Sequence, residues 1–365
     1  MAKVLVGMSG GVDSAAAAYV LKEQGHEVIG VTLRTWVSDD GTESRCCEID
    51  DARRVAMRIG IPYYPLNSLK AFQEEVTEPF IKDYMEGRTP NPCILCNRYV
   101  KWERMMYFMH VLQADYIATG HYAGVIRKPN GRYTVQTALH GEKDQTYMLY
   151  RLTQEQLAHT MMPLASYSKE EVRALAQQFD FAVAGKPDSQ ELCFVPEGTY
   201  GDFIRKQAPG EIPGEGDFVD ETGRVLGRHR GILHYTVGQR RGLGIAAGER
   251  LFVTEIWAAA NQVVLGPEGS LYRDEIRCRD LHFLSIPRPE PGTVFRCRVK
   301  IRYRHPAVSA FVQMEQDGAL IRFETPVRAP APGQSAVFYD EDRCVIGGGV
   351  IAGIDKNLDP SLTGP

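Results

Sequence analysis

The sequence predicts an α/β doubly wound parallel sheet followed by two small β-barrel-like modules, and three observations carry that prediction. A short apolar run, Lys3-Val-Leu-Val-Gly-Met8, passes through a Gly/Ser turn into an alanine-rich stretch from Val12 to Gln24, the spacing of a strand, a tight loop and a helix. The same rhythm repeats to about residue 66. From Tyr200 onward Gly/Pro turns instead recur about every eight to twelve residues between short alternating runs such as Arg250-Leu-Phe-Val-Thr-Glu-Ile256, as in small barrels and sandwiches.

The first helix is favoured by Ala15 to Ala18 and stopped by Gly25, which suits a C-terminal cap. Glu27 to Leu33 predicts the second strand, Ile49 to Ile59 a helix closed by Gly60, and Ile61 to Leu66 the third strand. Ligands of such a βαβαβ sheet sit at the carboxyl ends of its strands. Ser68 to Gly87 predicts a longer helix, and Arg88-Thr-Pro-Asn-Pro-Cys93 a loop feeding another helix from about Asn97 to Leu112. Asp115 to Ala118 is a further strand, with Gly120-His121-Tyr122 just past its end, where a ligand is expected. Ser168-Lys-Glu-Glu171 has capping-box spacing and opens a helix to Phe179. The expected division is therefore 1–200, 201–268 and 269–365, the second junction placed near Gly266 to Ser270 by turn chemistry.

The 365 residues, 44% hydrophobic and 24% charged, are ordinary for a globular protein and exclude disorder and collagen-like repeats. No apolar run approaches the ~18 residues of a spanning helix, and Met1-Ala-Lys3 has no signal-peptide layout; the expectation is a cytoplasmic protein without a membrane. Eight cysteines are too sparse for a disulfide scaffold. A net charge of -4 provides no global attraction to nucleic acid, so any such surface must be local.

Ser9-Gly-Gly-Val-Asp-Ser14 lies between the first strand and the first helix. Its glycines let backbone amides approach an anion, the helix N-terminus adds partial positive charge, and the serines can donate to phosphate oxygens. No Lys follows as in G-x-x-x-x-G-K-[ST], which disfavours a γ-phosphate-cleaving motor or GTPase. Asp13 in an anion site makes sense as a Mg²⁺ ligand or as a residue positioning the loop. The loop resembles the PP-loop of the N-type ATP pyrophosphatases, which split ATP into AMP and pyrophosphate while adenylating a substrate oxygen.

Asn91-Pro-Cys93-Ile-Leu-Cys96-Asn97 sets two thiols at the start of a helix, where the dipole favours thiolate. Cys193 lies in the polar stretch Asp188-Ser-Gln-Glu-Leu-Cys193. Sulfur transfer needs one thiolate to carry a terminal sulfur and a second to release it through a disulfide, roles that Cys193 and Cys96 can take. Zinc is disfavoured, since no second pair of ligands stands at metal spacing. Cys278, Cys297 and Cys344 sit in β runs as small hydrophobes, and Cys46-Cys47 is structural.

With these cysteines the resemblance narrows to the bacterial tRNA-specific 2-thiouridylases. It rests on Gly7 to Ser14, Thr89 to Asn97, Ala118-Thr-Gly-His-Tyr122, Lys143-Asp-Gln-Thr-Tyr147, Cys193-Phe194, Tyr235 to Gly244 and Arg302-Tyr-Arg304. The resemblance implies that ATP adenylates O2 of a wobble uridine and that persulfide sulfur, relayed from a donor protein, attacks C2. It makes Cys193 the persulfide carrier and Cys96 its partner. It lines the ATP site with Gly7, Met8, Ser9, Gly10, Gly11, Val12, Asp13, Ser14, Leu33 and Gly120. It brings Asn91, Pro92, Cys93, His121, Lys143, Asp144, Gln145, Arg302, Tyr303 and Gln334 to tRNA. Some members carry Asp where this chain has Cys93, so no carboxylate role transfers there. An iron–sulfur cluster on Cys93, Cys96 and Cys193 is the alternative chemistry; the persulfide route is preferred.

Val294 to His305 alternates, with Arg296, Arg298, Lys300, Arg302 and Arg304 on one side and apolar residues on the other. From 271 to 305 there are nine Lys or Arg against four Asp or Glu. A single strand would spread this basic edge over roughly 26 Å, enough to follow several phosphates. The competing functions are an AMP-forming amide synthetase, which leaves Cys193 without a role, and a nonenzymatic RNA-binding or cluster-carrying protein, which leaves the intact phosphate loop without one.

Overall fold

Five strands form the first sheet of the computed structural model, which describes residues 1–353 except 39, 40, 42, 43, 45, 46, 180, 182, 184, 186–191, 196, 197, 209, 211 and 247. They are β1 (Lys3–Gly7), β2 (Glu27–Arg34), β3 (Tyr63–Asn67), β4 (Tyr116–Ala118) and, after an antiparallel hairpin of β5 (Ala123–Arg127) and β6 (Tyr133–Thr137), β7 (Thr160–Met161). All pair in parallel in the order β3-β2-β1-β4-β7. Val4, Leu5 and Val6 of β1 have no exposed surface, because a central parallel strand is covered on both faces. The order reverses between β1 and β4, so the doubly wound sheet opens its crevice beside the loop that follows β1.

The helices follow the sequence closely where caps are local. Helix Val12–Glu23 buries Ala15 to Ala18 in a cluster shared with the sheet and the neighbouring helices. Helix Ile49–Ile59 ends on Gly60 at φ 73°, a left-handed conformation that glycine takes without a Cβ penalty. Helix Lys169–Gln178 begins with the reciprocal Ser168/Glu171 capping box.

Two helices depart from expectation. The 69–85 helix is interrupted by a π turn, Gln73–Thr77. The helix expected from Asn97 already starts at Pro92, capped by Asn91, whose Oδ1 accepts from Cys93 N at 3.2 Å. Proline fits the first helical position because its missing N–H has no intrahelical partner there. The C-x-x-C sequence is therefore helical, and a second π segment, Cys96–Trp102, follows it.

Beyond residue 200, β8 (Gly216–Val219), β9 (Val225–His229), β10 (Phe252–Trp257) and β11 (Gln262–Gly266) form a four-stranded sheet in the order β10-β11-β8-β9. Then β12 (Tyr272–Phe283), β13 (Val294–Lys300), β14 (Val308–Met314), β15 (Ala319–Arg328), β16 (Ser335–Tyr339) and β17 (Val345–Ile351) close a six-stranded barrel. The β5–β6 hairpin fastens the first sheet's domain to that barrel. Arg132 donates to the carbonyls of Leu284 and Phe283 at 2.7 and 3.1 Å, and Thr134 Oγ1 to that of Val345 at 2.5 Å. Among the described residues, no helix is long and apolar enough to cross a membrane.

Candidate functional site

The loop after β1 is tied back on itself by its own serines. Ser14 Oγ donates to Gly11 O at 3.0 Å and accepts from Ser9 N at 3.1 Å, while Ser9 Oγ accepts from Gly11 N at 3.4 Å. Gly10 has φ 80°, and a Cβ there would lie 2.6 Å from Glu48 Cβ, so both backbone conformation and space require glycine. Gly120, just past β4, presses on the Asp13–Ser14 peptide, where a Cβ would stand 2.7 Å from Ser14 N. Gly7 meets Met105 Sδ in the same way at 3.1 Å. Met8 and Val12 are buried beneath the loop, and Leu33 is the last residue but one of β2, its carbonyl accepting the Cys47 thiol at 2.9 Å. The residues expected around ATP thus meet at the sheet's carboxyl edge. Cys46 lies outside the described residues.

Asp13 is the loop's acidic member. Its Oδ1 accepts Tyr122 OH at 2.7 Å and Lys169 Nζ at 2.6 Å. The Lys169 side chain is 9% exposed and the Asp13 side chain 34%. Tyr122 and Lys169 also line a cavity of about 280 Å³ with His140, Lys143, Tyr167 and Glu170. A larger cavity of about 430 Å³, lined by Arg205, Arg230 and His234, lies against the second module.

Cys93 is exposed in the first turn of its helix, whereas Cys96, one turn later, is 6% exposed. Cys96 belongs to an apolar cluster with Phe72, Phe80, Val100 and Phe194, and Cys193 packs against the same cluster. Two thiols 97 residues apart in sequence thus belong to one apolar cluster. Helix Tyr200–Gln207 and Leu233 contribute to the same cluster. Residues 188–191, upstream of Cys193, lie outside the described residues. Among the described residues, no three His, Cys, Asp or Glu side chains stand together as a metal site. Cys278 and Cys297 are buried in the barrel, and burial pushes the Cys297 thiol up to about 12.

The basic strand is corrected. β13 ends at Lys300, so Arg302 and Arg304 lie beyond the alternating strand, although Ile301 is buried as the alternation predicts. Arg296 is neutralised by Glu324 at 2.7 Å, and Lys300 Nζ faces Asp144 at 3.9 Å. Arg302 turns inward and donates to the carbonyls of Val237 and Ala329, both at 2.9 Å. A largely buried guanidinium satisfies buried carbonyls there, which outweighs continuing the strand.

Several residues expected at tRNA line the seam between the Cys93/Cys96 helix and the barrel. Asp144 accepts Thr146 Oγ1 at 2.8 Å, and burial raises its carboxyl pKa. Lys300 Nζ stands 5.9 Å over the Tyr303 ring. Gln334 Nε2 donates to Thr89 O at 2.9 Å and to Pro90 O at 3.3 Å, while Thr89 N donates to Pro332 O at 2.7 Å. Pro92 is buried, and Asn91 Nδ2 reaches Met148 Sδ at 3.5 Å. Gln145 Oε1 accepts from Tyr122 N at 2.9 Å. His121 pairs with Thr119 Oγ1 at 2.8 Å against the Trp102 ring, and burial together with the Lys101 ammonium pushes its pKa down to about 3. Lys143 stands apart, in the cavity beside Asp13.

Sequence reasoning missed Lys169 and Tyr122 as partners of Asp13. Lys169 is visible in the sequence only as part of a capping box, and no local signal links it to a loop 156 residues away.

Three family profiles cover the chain: a tRNA methyl transferase HUP domain over residues 2–197, a tRNA methyl transferase PRC-barrel domain over 201–267 and an aminomethyltransferase β-barrel domain over 273–351. The chain is 48% identical over 359 residues to the tRNA-specific 2-thiouridylase MnmA of Lachnoclostridium phytofermentans, covering 96% of this chain and 99% of that protein. It is 49% identical over 358 residues to MnmA of Acetivibrio thermocellus, with the same coverage. Identity to MnmA of Clostridium perfringens is 46% over 356 residues, 96% of this chain and 98% of that protein.

Proposed function

The chain belongs to the tRNA-specific 2-thiouridylase family, whose named activity is thiolation of tRNA, and from that premise we propose an ATP-dependent tRNA-uridine 2-sulfurtransferase acting on the wobble uridine in the cytoplasm. The observation that carries the reading is the placement of Cys96 and Cys193 in one apolar cluster, in a chain whose first strand ends in a serine-tied glycine loop. Two of the family profiles are described by methyl transfer. Full-length relatives named as thiolases, together with a convergent thiol pair, favour sulfur.

The proposed reaction has two halves. O2 of the uridine bonds to the α-phosphorus of ATP, the bond to the β-phosphate bridging oxygen breaks, and pyrophosphate leaves with the electron pair. An unactivated carbonyl oxygen is a poor leaving group, whereas AMP is a good one. The terminal sulfur of a Cys193 persulfide, loaded by a sulfur-relay donor protein, then bonds to C2 as AMP departs. Cys96 thiolate attacks the Cys193 sulfur, the S–S bond breaks toward the uridine sulfur, and a Cys96–Cys193 disulfide remains for reduction by an external dithiol. Cys93, exposed, is outside this exchange.

The loop Ser9 to Ser14 would cradle the phosphates with its amides and hydroxyls. Asp13, a carboxylate one-third exposed at its rim, fits a Mg²⁺ ligand by donor type, and the ion would neutralise charge on the phosphates. The division 1–200, 201–268 and 269–365 is supported by the three profile spans. In it, catalysis belongs to the first part and RNA contact to the barrel and its seam, with Asn91, Cys93, His121, Lys143 and Tyr303 nearest the RNA.

The test is incubation with ATP, Mg²⁺, a persulfide donor and unmodified tRNA, followed by nucleoside mass spectrometry and nucleotide analysis. The expected products are 2-thiouridine, AMP and pyrophosphate. ADP as the nucleotide product, or tRNA without 2-thiouridine, overturns the reading.

A further inference from the structure

Cys278 and Cys297 are buried among apolar barrel residues, whereas Cys47 is buried among polar atoms. Its thiol donates to Leu33 O at 2.9 Å and accepts from Ser44 Oγ at 2.9 Å and Thr35 N at 3.3 Å, and Thr35 Oγ1 stands 2.9 Å from the sulfur. Cys47 has no exposed surface, and Ser44 and Thr35 are 1% and 2% exposed. A residue that only filled space would not need four polar neighbours.

The direction of the Leu33 peptide groups follows from the sheet. Val31 O accepts Met8 N on the β1 side at 2.7 Å, whereas Arg34 O accepts Ser68 N on the β3 side at 2.9 Å. Alternate residues of a strand bond to alternate neighbours, so Leu33, two past Val31, turns its N–H and C=O to the β1 side. There β1 has already ended at Gly7. The Leu33 peptide edge therefore faces the crevice beside the phosphate loop. Glu48, next to Cys47, caps helix Ile49–Ile59 and packs on that loop, since a Cβ on Gly10 would lie 2.7 Å from Glu48 O. Two successive residues thus hold the end of β2 and the phosphate loop in one register.

We propose that Cys47 is a positioning residue that sets nucleobase selectivity at the ATP site: its thiol holds the Leu33 carbonyl where it accepts the 6-amino group of adenine and opposes O6 of guanine. The proposal rests on the ATP dependence described above. A carbonyl oxygen has two lone pairs; the thiol takes one and leaves the other for the amine. Guanine presents an acceptor at that position, and two acceptors face to face leave both unsatisfied. The Leu33 side chain has no part in this discrimination, so the orientation of the peptide group must be fixed from outside the strand. No bond to sulfur is made or broken.

The test measures equilibrium binding of ATP, GTP and purine riboside triphosphate, which lacks the 6-amino group, to the intact protein by calorimetry, with AMP formation on tRNA followed alongside. The wild type should prefer ATP about tenfold over purine riboside triphosphate and about 100-fold over GTP. Cys47→Ala should lower the preference over GTP at least about fivefold, narrow the gap to purine riboside triphosphate, and raise the KM for ATP about fivefold with kcat within about threefold. Cys47→Ser, which keeps a donor, should return the preference over GTP to within about threefold of the wild type. Ser44→Ala removes one partner of the sulfur and leaves the thiol in place; it should lower the preference about twofold, which keeps the test intact if Cys47→Ala does not fold. An unchanged ATP-to-GTP ratio in Ser44→Ala and in a folded Cys47→Ala overturns the proposal. So does an equal weakening of all three nucleotides, the result of a merely structural role, or a wild type without preference for ATP. A wild type that selects ATP through Cys47 but forms no AMP sustains the positioning role and overturns adenylation instead.

Discussion

Cys193 is partly exposed while Cys96, in the apolar cluster that Cys193 packs against, is buried, the difference that a carrier loaded from outside and a thiol that only resolves it would need. In the proposed reaction the persulfide acts after O2 has been activated. Cys193→Ser should therefore abolish 2-thiouridine while AMP formation on tRNA stays detectable, and thiouridine at the wild-type rate in that variant would move the sulfur to another residue. His121 invites a pH experiment. Burial and Lys101 hold its pKa at about 3 in the folded protein, against ~6.5 unfolded. Between those values the unfolded chain binds the extra proton, so His121 makes stability fall as pH drops from about 6.5 toward 3. In urea melts His121→Gln should flatten that acid limb and leave stability above pH 7 with little further pH dependence; an unchanged slope would show the imidazole titrating normally.

At the scale of elements, the loop joining the 69–85 helix to the Pro92 helix is held from both sides. Arg88 pairs with Asp83 and Glu86, and the barrel turn at 332–334 grips Thr89 and Pro90. Gly333 has φ 89°, and a Cβ there would stand 3.0 Å from Thr89 N, so the close approach depends on glycine. This grip immediately precedes Asn91, the cap of the Cys93/Cys96 helix. Gln334→Ala should raise the AMP formed per 2-thiouridine severalfold and speed alkylation of Cys93, because the loop loses its two side-chain hydrogen bonds. If tRNA affinity falls while that ratio stays constant, Gln334 is an RNA contact and not a positioning residue.

At the scale of the molecule, Arg302 fastens the barrel to the second module through the Val237 carbonyl while bonding Ala329 within the barrel's own connection. Hydrogen bonds from a charged donor are worth about 1.5–3 kcal/mol each. With two such bonds, Arg302→Ala should therefore cost about 3–6 kcal/mol in urea unfolding and open the 201–268 region to limited proteolysis. A variant with wild-type stability and a shallower salt dependence of tRNA binding would return Arg302 to the RNA surface.

The sequence by itself determined the features whose causes are local. The glycine loop after β1, the Gly60 stop, the Ser168 capping box and the change to β structure beyond Tyr200 all follow from residues a few positions apart. It also singled out Cys96 and Cys193 by chemistry, though not their meeting in one cluster. Tertiary structure alone decided where the long-range partners lie: Lys169 on Asp13, Gln334 on the Thr89 loop and Arg302 in the joint between modules. Alternation along Val294 to His305 suggested one basic face, but β13 ends at Lys300 and Arg302 turns inward onto the Val237 and Ala329 carbonyls. Periodicity reports how a segment could pack, whereas burial and charge satisfaction depend on which distant surface it meets.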